Sequence, residues 1–157
     1  TILIIISGRP LSVRYAADHV PAIVNAWEPG QYGGQAIAEI LYGKINPSAK
    51  LAMTIPRHVG QISSWYNHKR SAYFHPAVCA DNTPLYPFGY GLSYTKFKYS
   101  NLVLSDTVIE NDGKSAIKAQ ITIENIGIRE GTEVCQLYIN DTVSSVARPV
   151  KELEELH

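Results

Sequence analysis

The chain reads as an α/β region followed by a mainly-β sandwich region, with a long aromatic connection between them. Three observations carry that reading. Ile2 to Ile6 is an unbroken apolar, mostly β-branched run, the pattern of a strand covered on both faces, as in a parallel sheet. Ala36, Ile37, Ile40 and Leu41 recur at helical spacing and form a one-faced apolar stripe. From about Phe97 the apolar period changes to two, the fabric of half-buried antiparallel sheet.

Residues 1–57 are predicted to form the end of an α/β sandwich. Ser7-Gly8-Arg9-Pro10 turns the chain after the first strand, and Ala22 to Trp27 is a second apolar run. Glu28-Pro29-Gly30 cannot continue a regular element, because Pro29 fixes φ and lacks a donor and Gly30 permits positive φ. Gly33-Gly34 lets the backbone pass close to a neighbour. A helix is predicted from about Gly34 to Tyr42, with Gly43 as its cap. Asn46-Pro47-Ser48 is turn chemistry, and Leu51 to Ile55 reads as a short buried strand stopped by Pro56. The expected order is therefore β, β, α, β, in a chain that opens inside a domain.

Residues 58–95 lack clear periodicity. Trp65, Tyr66, Tyr73, Phe74, Tyr86, Phe88 and Tyr90 must bury surface, so this stretch reads as an ordered crossover, and a connection this long is unusual and often functional. In residues 96–157, Ile117, Ala119, Ile121 and Ile123 alternate with polar residues, and Cys135, Leu137 and Ile139 form the inward set of another strand. Asn111-Asp112-Gly113 and Asn125-Ile126-Gly127 are turn signals. The sandwich is expected to stop short of completion at Leu156-His157.

Composition excludes several classes. The 157 residues carry 14 basic and 14 acidic side chains, with no basic block or stripe, which excludes nucleic acid as a partner. Ile2 to Ile6 is too short to span a bilayer and lacks the charged flank of a signal peptide, so no membrane partner is expected. Cys79 and Cys135 are too few for a disulfide scaffold and lack metal-ligand spacing. His58, His68 and His75 stand ten and seven residues apart, which fits no local zinc signature. They read as loop histidines, and no metal is expected. Asn140-Asp141-Thr142 fits the glycosylation pattern and equally a chance triplet in a turn.

Residues 27–57, WEPGQYGGQAIAEILYGKINPSAKLAMTIPR, together with SGRP at Ser7 to Pro10 and PLYPFGYGLSYTKF at Pro84 to Phe97, resemble the C-terminal half of glycoside hydrolase family 3, the β-glucosidases and β-xylosidases. VGQISSWYNHK at Val59 to Lys69 is most similar to the bacterial, often periplasmic β-glucosidase branch. The three segments match in order and spacing, and the resemblance covers nearly the whole chain.

The resemblance implies a crossover from the α/β sandwich into a fibronectin type III-like sandwich, with EVCQLYI as its recognisable strand. It implies a retaining hydrolase of terminal β-D-glucosides or β-D-xylosides, without an organic cofactor, periplasmic or secreted. Retaining glycosidases use two carboxylates. The family takes its nucleophilic Asp from an N-terminal barrel and its acid/base Glu from a loop upstream of the SGRP segment. No catalytic residue carries over to this sequence, and the isolated chain is expected to be inactive. The partners implied are an oligosaccharide or aryl β-glycoside, met through the parent polypeptide.

Glu28 is the tempting carboxylate, yet it reads as a solvated loop acid. It stands where the family's pattern usually has a non-acidic residue, and Tyr32 stands where that pattern has an acid. Trp65, Tyr66 and Tyr73 are candidates for stacking on sugar rings, against the alternative of packing the crossover between two regions. Two other readings of the whole chain stay open: a non-catalytic carbohydrate-binding module and a structural unit. With both ends cutting through domains, open sheet edges and uncovered apolar faces are expected to drive self-association or docking on the rest of the parent chain.

Overall fold

The computed structural model describes residues 1–61, 64–69, 83–110, 112 and 114–156. Its elements run β1 (Ile2–Ile6), α1 (Arg14–His19), β2 (Ala22–Trp27), α2 (Gly33–Leu41), β3 (Phe97–Leu104), β4 (Ala119–Asn125), β5 (Gln136–Ile139) and β6 (Glu152–Leu156). The described residues are thus mainly β with few helices. Among them no helix is long and apolar enough to cross a membrane.

β1 and β2 pair in parallel, from Ile2 opposite Ala22 to Ile6 opposite Trp27, with a register shift at the end. The connection holds α1, which the expected order of elements lacks. Six residues are too short to show a helical period. Arg14 donates to Asp18 one turn on, at 2.8 Å, and Tyr15 stacks on His19, so the pairs at helical spacing define it instead. Pro21 ends it by forcing Val20 into an extended conformation, φ −107° and ψ 125°. The expected cover on both faces of β1 is not found among the described residues. Leu3 and Ile5 are half-buried, whereas Ile2, Ile4 and Ile6 stand exposed.

α2 follows its sequence signals closely. Gly30 at φ +68° closes the entering turn, and a Cβ on Gly33 would meet Pro29 Cγ at 2.5 Å, so Gly33 permits a close approach, whereas Gly34 faces open space. At the far end Lys44 N–H donates to Glu39 O and Gly43 N–H to Ile40 O, with Gly43 at φ +72°. This is a Schellman cap.

The predicted strand Leu51 to Ile55 is corrected. Leu51 exchanges backbone bonds with Tyr90 and Gly89, and Ile55 with Leu85 and Tyr86, but only an isolated bridge, Ile55 to Tyr86, forms. Pro87 lacks the donor that a continuous ladder needs, and Gly89 at φ +78° turns the partner away. Ile55 is nonetheless the one buried hydrophobic among the described residues, 5% exposed.

In the remainder, β3 and β4 pair antiparallel, as do β5 and β6. Asn101, at φ +54°, sits in the bulge between Ser100 and Val103. The turn signal at Asn111 and Gly113 lies outside the described residues; within it, Asp112 accepts the N–H groups of Lys114 and Ser115 at 2.8 and 2.7 Å. The inward set expected for β5 is reversed. Gln136 and Tyr138 are half-buried, while Leu137 and Ile139 are 39% and 54% exposed. The reason is docking: Gln136 donates to Gly89 O at 3.0 Å, and the Tyr138 ring meets Tyr66 edge-on at 6.2 Å.

Polar contacts join the two halves of the chain. Asn46 accepts from Ser93 Oγ and Tyr94 N–H and donates to Glu130 O, all within 2.9 Å. Lys50 Nζ lies 3.1 Å from Glu133 and 3.2 Å from Gly91 O, and Tyr99 Oη donates to the other Glu133 oxygen at 2.8 Å. Thr95, only 8% exposed, donates to Asn125 Oδ1 at 2.7 Å.

Candidate functional site

A cleft of about 590 Å³ opens between the turn that leaves β1 and the described part of the crossover. Arg9 and Pro10 line it, together with Ala52, Met53, Thr54 and Pro56. Gln61, Ser64 to Asn67 and Phe88 also line it. The cleft thus lies beyond the carboxyl end of a parallel strand, where open α/β sheets place ligands.

The crossover is held in place by its first residues. Arg57 donates through Nε to Thr83 O at 3.1 Å and through Nη2 to Thr83 Oγ1 at 2.7 Å. Gln61 accepts the Arg57 N–H at 2.7 Å and donates to Thr83 O at 3.3 Å. Residues 57–61 are therefore tied to residue 83, and the two described ends of the connection lie side by side. Beyond them Val150 N–H donates to His68 O at 3.0 Å, which fastens the 64–69 segment to the second half of the chain.

Of the three aromatics selected from the sequence, Trp65 and Tyr66 come together in this cleft, and Tyr73 lies outside the described residues. Tyr66 stacks on Phe88, centroids 4.2 Å apart and planes 18° apart, and Tyr138 from β5 backs it. Tyr66 therefore does what the packing alternative required, while still lining the cleft. Trp65 stays 68% exposed, so packing within this chain leaves most of its ring uncovered. Arg9, Met53 and Phe88 were not selected from the sequence. Arg9 belongs to the SGRP segment and Phe88 to the PFGYG segment, so the motifs themselves were the signal.

Burial holds the Tyr138 and Tyr86 phenols above their ordinary pKa. Tyr99 is raised further, by burial first and then by its hydrogen bond to the Glu133 carboxylate.

Glu28 lies off the cleft. Its carboxylate rests against Gly8, where an added Cβ would approach Oε1 to 2.7 Å. Trp27 before it has φ +52°, an uncommon conformation for a bulky residue, and its carbonyl accepts Ser7 N–H at 3.0 Å. The loops leaving β1 and β2 are thus locked together beside the cleft. His58 accepts Gly60 N–H, and His68 Nδ1 lies 3.0 Å from Lys69 O. His75 and Cys79 lie outside the described residues. Among the described residues no group of His, Cys, Asp and Glu could hold a metal ion. Cys135 is a half-buried free thiol.

Comparison with known proteins places this geometry. The profile of the glycosyl hydrolase family 3 C-terminal domain matches residues 1–94. A periplasmic β-glucosidase of Salmonella typhimurium is 41% identical over 98% of the chain and 21% of its own length. A β-xylosidase of Formosa agariphila is 39% identical over 98% of the chain and 21% of its own length. The solved structure of a β-glucosidase from Erythrobacter marinus superposes with a TM-score of 0.90 at 42% identity, over 100% of this chain and 20% of that one. The chain spans about a fifth of the length of the relatives it matches. On the matched profile, the identity across nearly all its residues and the shared fold, the chain belongs to glycosyl hydrolase family 3.

Proposed function

We propose that the chain is the non-catalytic, C-terminal part of a retaining β-glycosidase that hydrolyses terminal β-D-glucosides or β-D-xylosides, exported to the periplasm or secreted. The observation that carries this is the 41% identity to a periplasmic β-glucosidase across 98% of the chain. In this reading the chain supplies no catalytic carboxylate and needs no cofactor. Its contribution is a wall of the substrate site. Trp65 and Tyr66 face the substrate across the cleft, and Tyr73 is the third sugar-contacting aromatic. Residues 96–157 act as a fibronectin type III-like sandwich with its boundary near Thr95, in keeping with the antiparallel β3–β4 and β5–β6 pairs. The exposed apolar faces at Ile2, Ile4 and Ile6 and at Leu137 and Ile139 are covered by the rest of the parent polypeptide or by self-association.

A carbohydrate-binding module is the second reading, favoured by the exposure of Trp65 alone. The deciding experiment uses the full polypeptide that contains this chain. Phenyl β-D-glucoside and phenyl β-D-xyloside are hydrolysed while proton NMR follows the anomer released. Release of the β-anomer first supports the proposal. Saccharide binding without hydrolysis supports the module instead.

A further inference from the structure

We infer that Tyr138 is a positioning residue: through it the β5–β6 hairpin fixes the orientation of the Tyr66–Phe88 pair in the cleft wall, and so sets how tightly the cleft holds its ligand, with no part in bond breaking. The inference deepens the proposed function and rests on it for the nature of that ligand. Neither ring of the pair stands on a regular element. Tyr66 and Phe88 both lie in turns, and turns open readily unless something outside them holds the backbone. The second half of the chain supplies that hold on both sides. On the Tyr66 side, Val150 N–H donates to His68 O at 3.0 Å and Lys69 bridges to Pro149, just before β6. On the Phe88 side, Gln136 donates to Gly89 O at 3.0 Å. Gly89 N–H donates in turn to Leu51 O at 2.8 Å, so the hold reaches the segment that carries Met53 and Thr54.

Tyr138 joins the two holds. Its half-buried ring meets the Tyr66 ring edge-on, centroids 6.2 Å apart and planes at 69°. Its hydroxyl donates to Gln136 Oε1 at 2.6 Å, and Lys151 Nζ lies 4.8 Å from the centre of its ring. One side chain therefore touches the Tyr66 ring and orients the amide that grips the residue after Phe88. Gly89 leaves room for this arrangement: a Cβ there would run into Gln136 Oε1 and come within 2.8 Å of the Tyr138 hydroxyl. An edge-on ring contact prefers one geometry, which an aliphatic side chain does not impose. A wall that wanders is ready to bind only part of the time, and apparent affinity falls by that fraction. A loss shared equally by bound substrate and transition state raises KM and leaves kcat.

Two readouts test this. In the 157-residue chain, the stacked rings of Tyr66 and Phe88, 4.2 Å apart, give ring-to-ring nuclear Overhauser contacts in proton NMR. Tyr138→Leu is expected to lose most of that intensity and Tyr138→Phe to keep most of it. Leu137→Ala, on the opposite face of β5, leaves it unchanged. In the full polypeptide that contains this chain, Tyr138→Leu raises KM for phenyl β-D-glucoside several-fold with kcat little changed, and Tyr138→Phe restores most of the parent KM. In a Tyr66→Leu background, Tyr138→Leu adds little further, because it acts through Tyr66. Should Tyr138→Leu fail to fold, Tyr138→Met, which fills the space without a ring edge, carries the same expectations. Ring contacts indifferent to the loss of the Tyr138 ring, or equally disturbed by Leu137→Ala, overturn the inference and leave the hairpin a packing element. An unchanged KM, a fall in kcat alone, or full additivity with Tyr66→Leu overturns it as well. If the full polypeptide hydrolyses no glycoside, the glycosidase reading fails by itself, and the Tyr66–Phe88 contacts still decide whether Tyr138 positions the wall.

Discussion

Tyr99 shows how one side chain couples the two halves of the molecule. Its hydroxyl donates a hydrogen bond to Glu133, and Glu133 is in turn paired with Lys50. Burial and the carboxylate raise the phenol's pKa, so the protonated form is the one the fold stabilises. The sign follows from linkage. This contribution is complete below the pKa of tyrosine in the unfolded chain, about 10, and is lost as pH rises above it, when a phenolate would face a carboxylate. The melting temperature is therefore expected to fall above about pH 10, and the fall to be shallower in Tyr99→Phe, which starts from a lower value. Melting curves across that range, with phenolate absorbance followed in parallel, check this. An unchanged slope in the variant would place the alkaline sensitivity elsewhere, at Tyr86 or Tyr138.

Among the elements, residues 51–55 are the instructive case. The sequence pattern there is that of a buried strand, and the backbone does run alongside residues 85–90. Pro87 and Gly89, more than thirty residues away, keep the pair from becoming a sheet. No local pattern could report that. Ile55→Ala is expected to destabilise the chain by about 2–4 kcal/mol, because Ile55 is the one well-covered hydrophobic among the described residues. Denaturant unfolding measures it, and a loss below about 1 kcal/mol would mean the site collapses freely. Other elements were legible for clear reasons. The start and cap of α2 rest on Gly30 and Gly43, whose positive φ angles only local chemistry dictates. The alternation of β4 predicted its strand, and Asn125-Ile126-Gly127 its end. α1 was too short for a period, and β6, Glu-Leu-Glu-Glu-Leu, is too acidic to read as a strand by propensity. The face of β5 was read backwards because alternation fixes two faces without saying which one docks. The cleft was half legible: aromatics without periodicity pointed to Trp65 and Tyr66, the motifs pointed to the segments of Arg9 and Phe88, and Met53 reaches it only through tertiary structure.

For the whole molecule, polar clamps hold the second half on the first. Lys50 and Glu133 are 14% and 16% exposed, so removing either partner leaves a charge with little solvent. Lys50→Met and Glu133→Leu are each expected to cost about 2 kcal/mol, and the double variant to lose less than their sum. Denaturant melts of the four proteins give the coupling, and strict additivity would reduce the pair to a surface contact. The same clamp steadies the crossover segment, because Lys50 also holds Gly91 O. In the proposed function this chain is assigned the rigid support of the aromatic wall, and the catalytic carboxylates are assigned to other parts of the polypeptide. The most direct test is an aryl β-glucoside assay on this chain alone, at concentrations where the full polypeptide is saturated with activity. The account predicts no turnover above the uncatalysed rate, and the same null result for Glu28→Gln. Measurable turnover by the isolated chain, abolished by Glu28→Gln, would contradict it and make the loop after β2 a catalytic one.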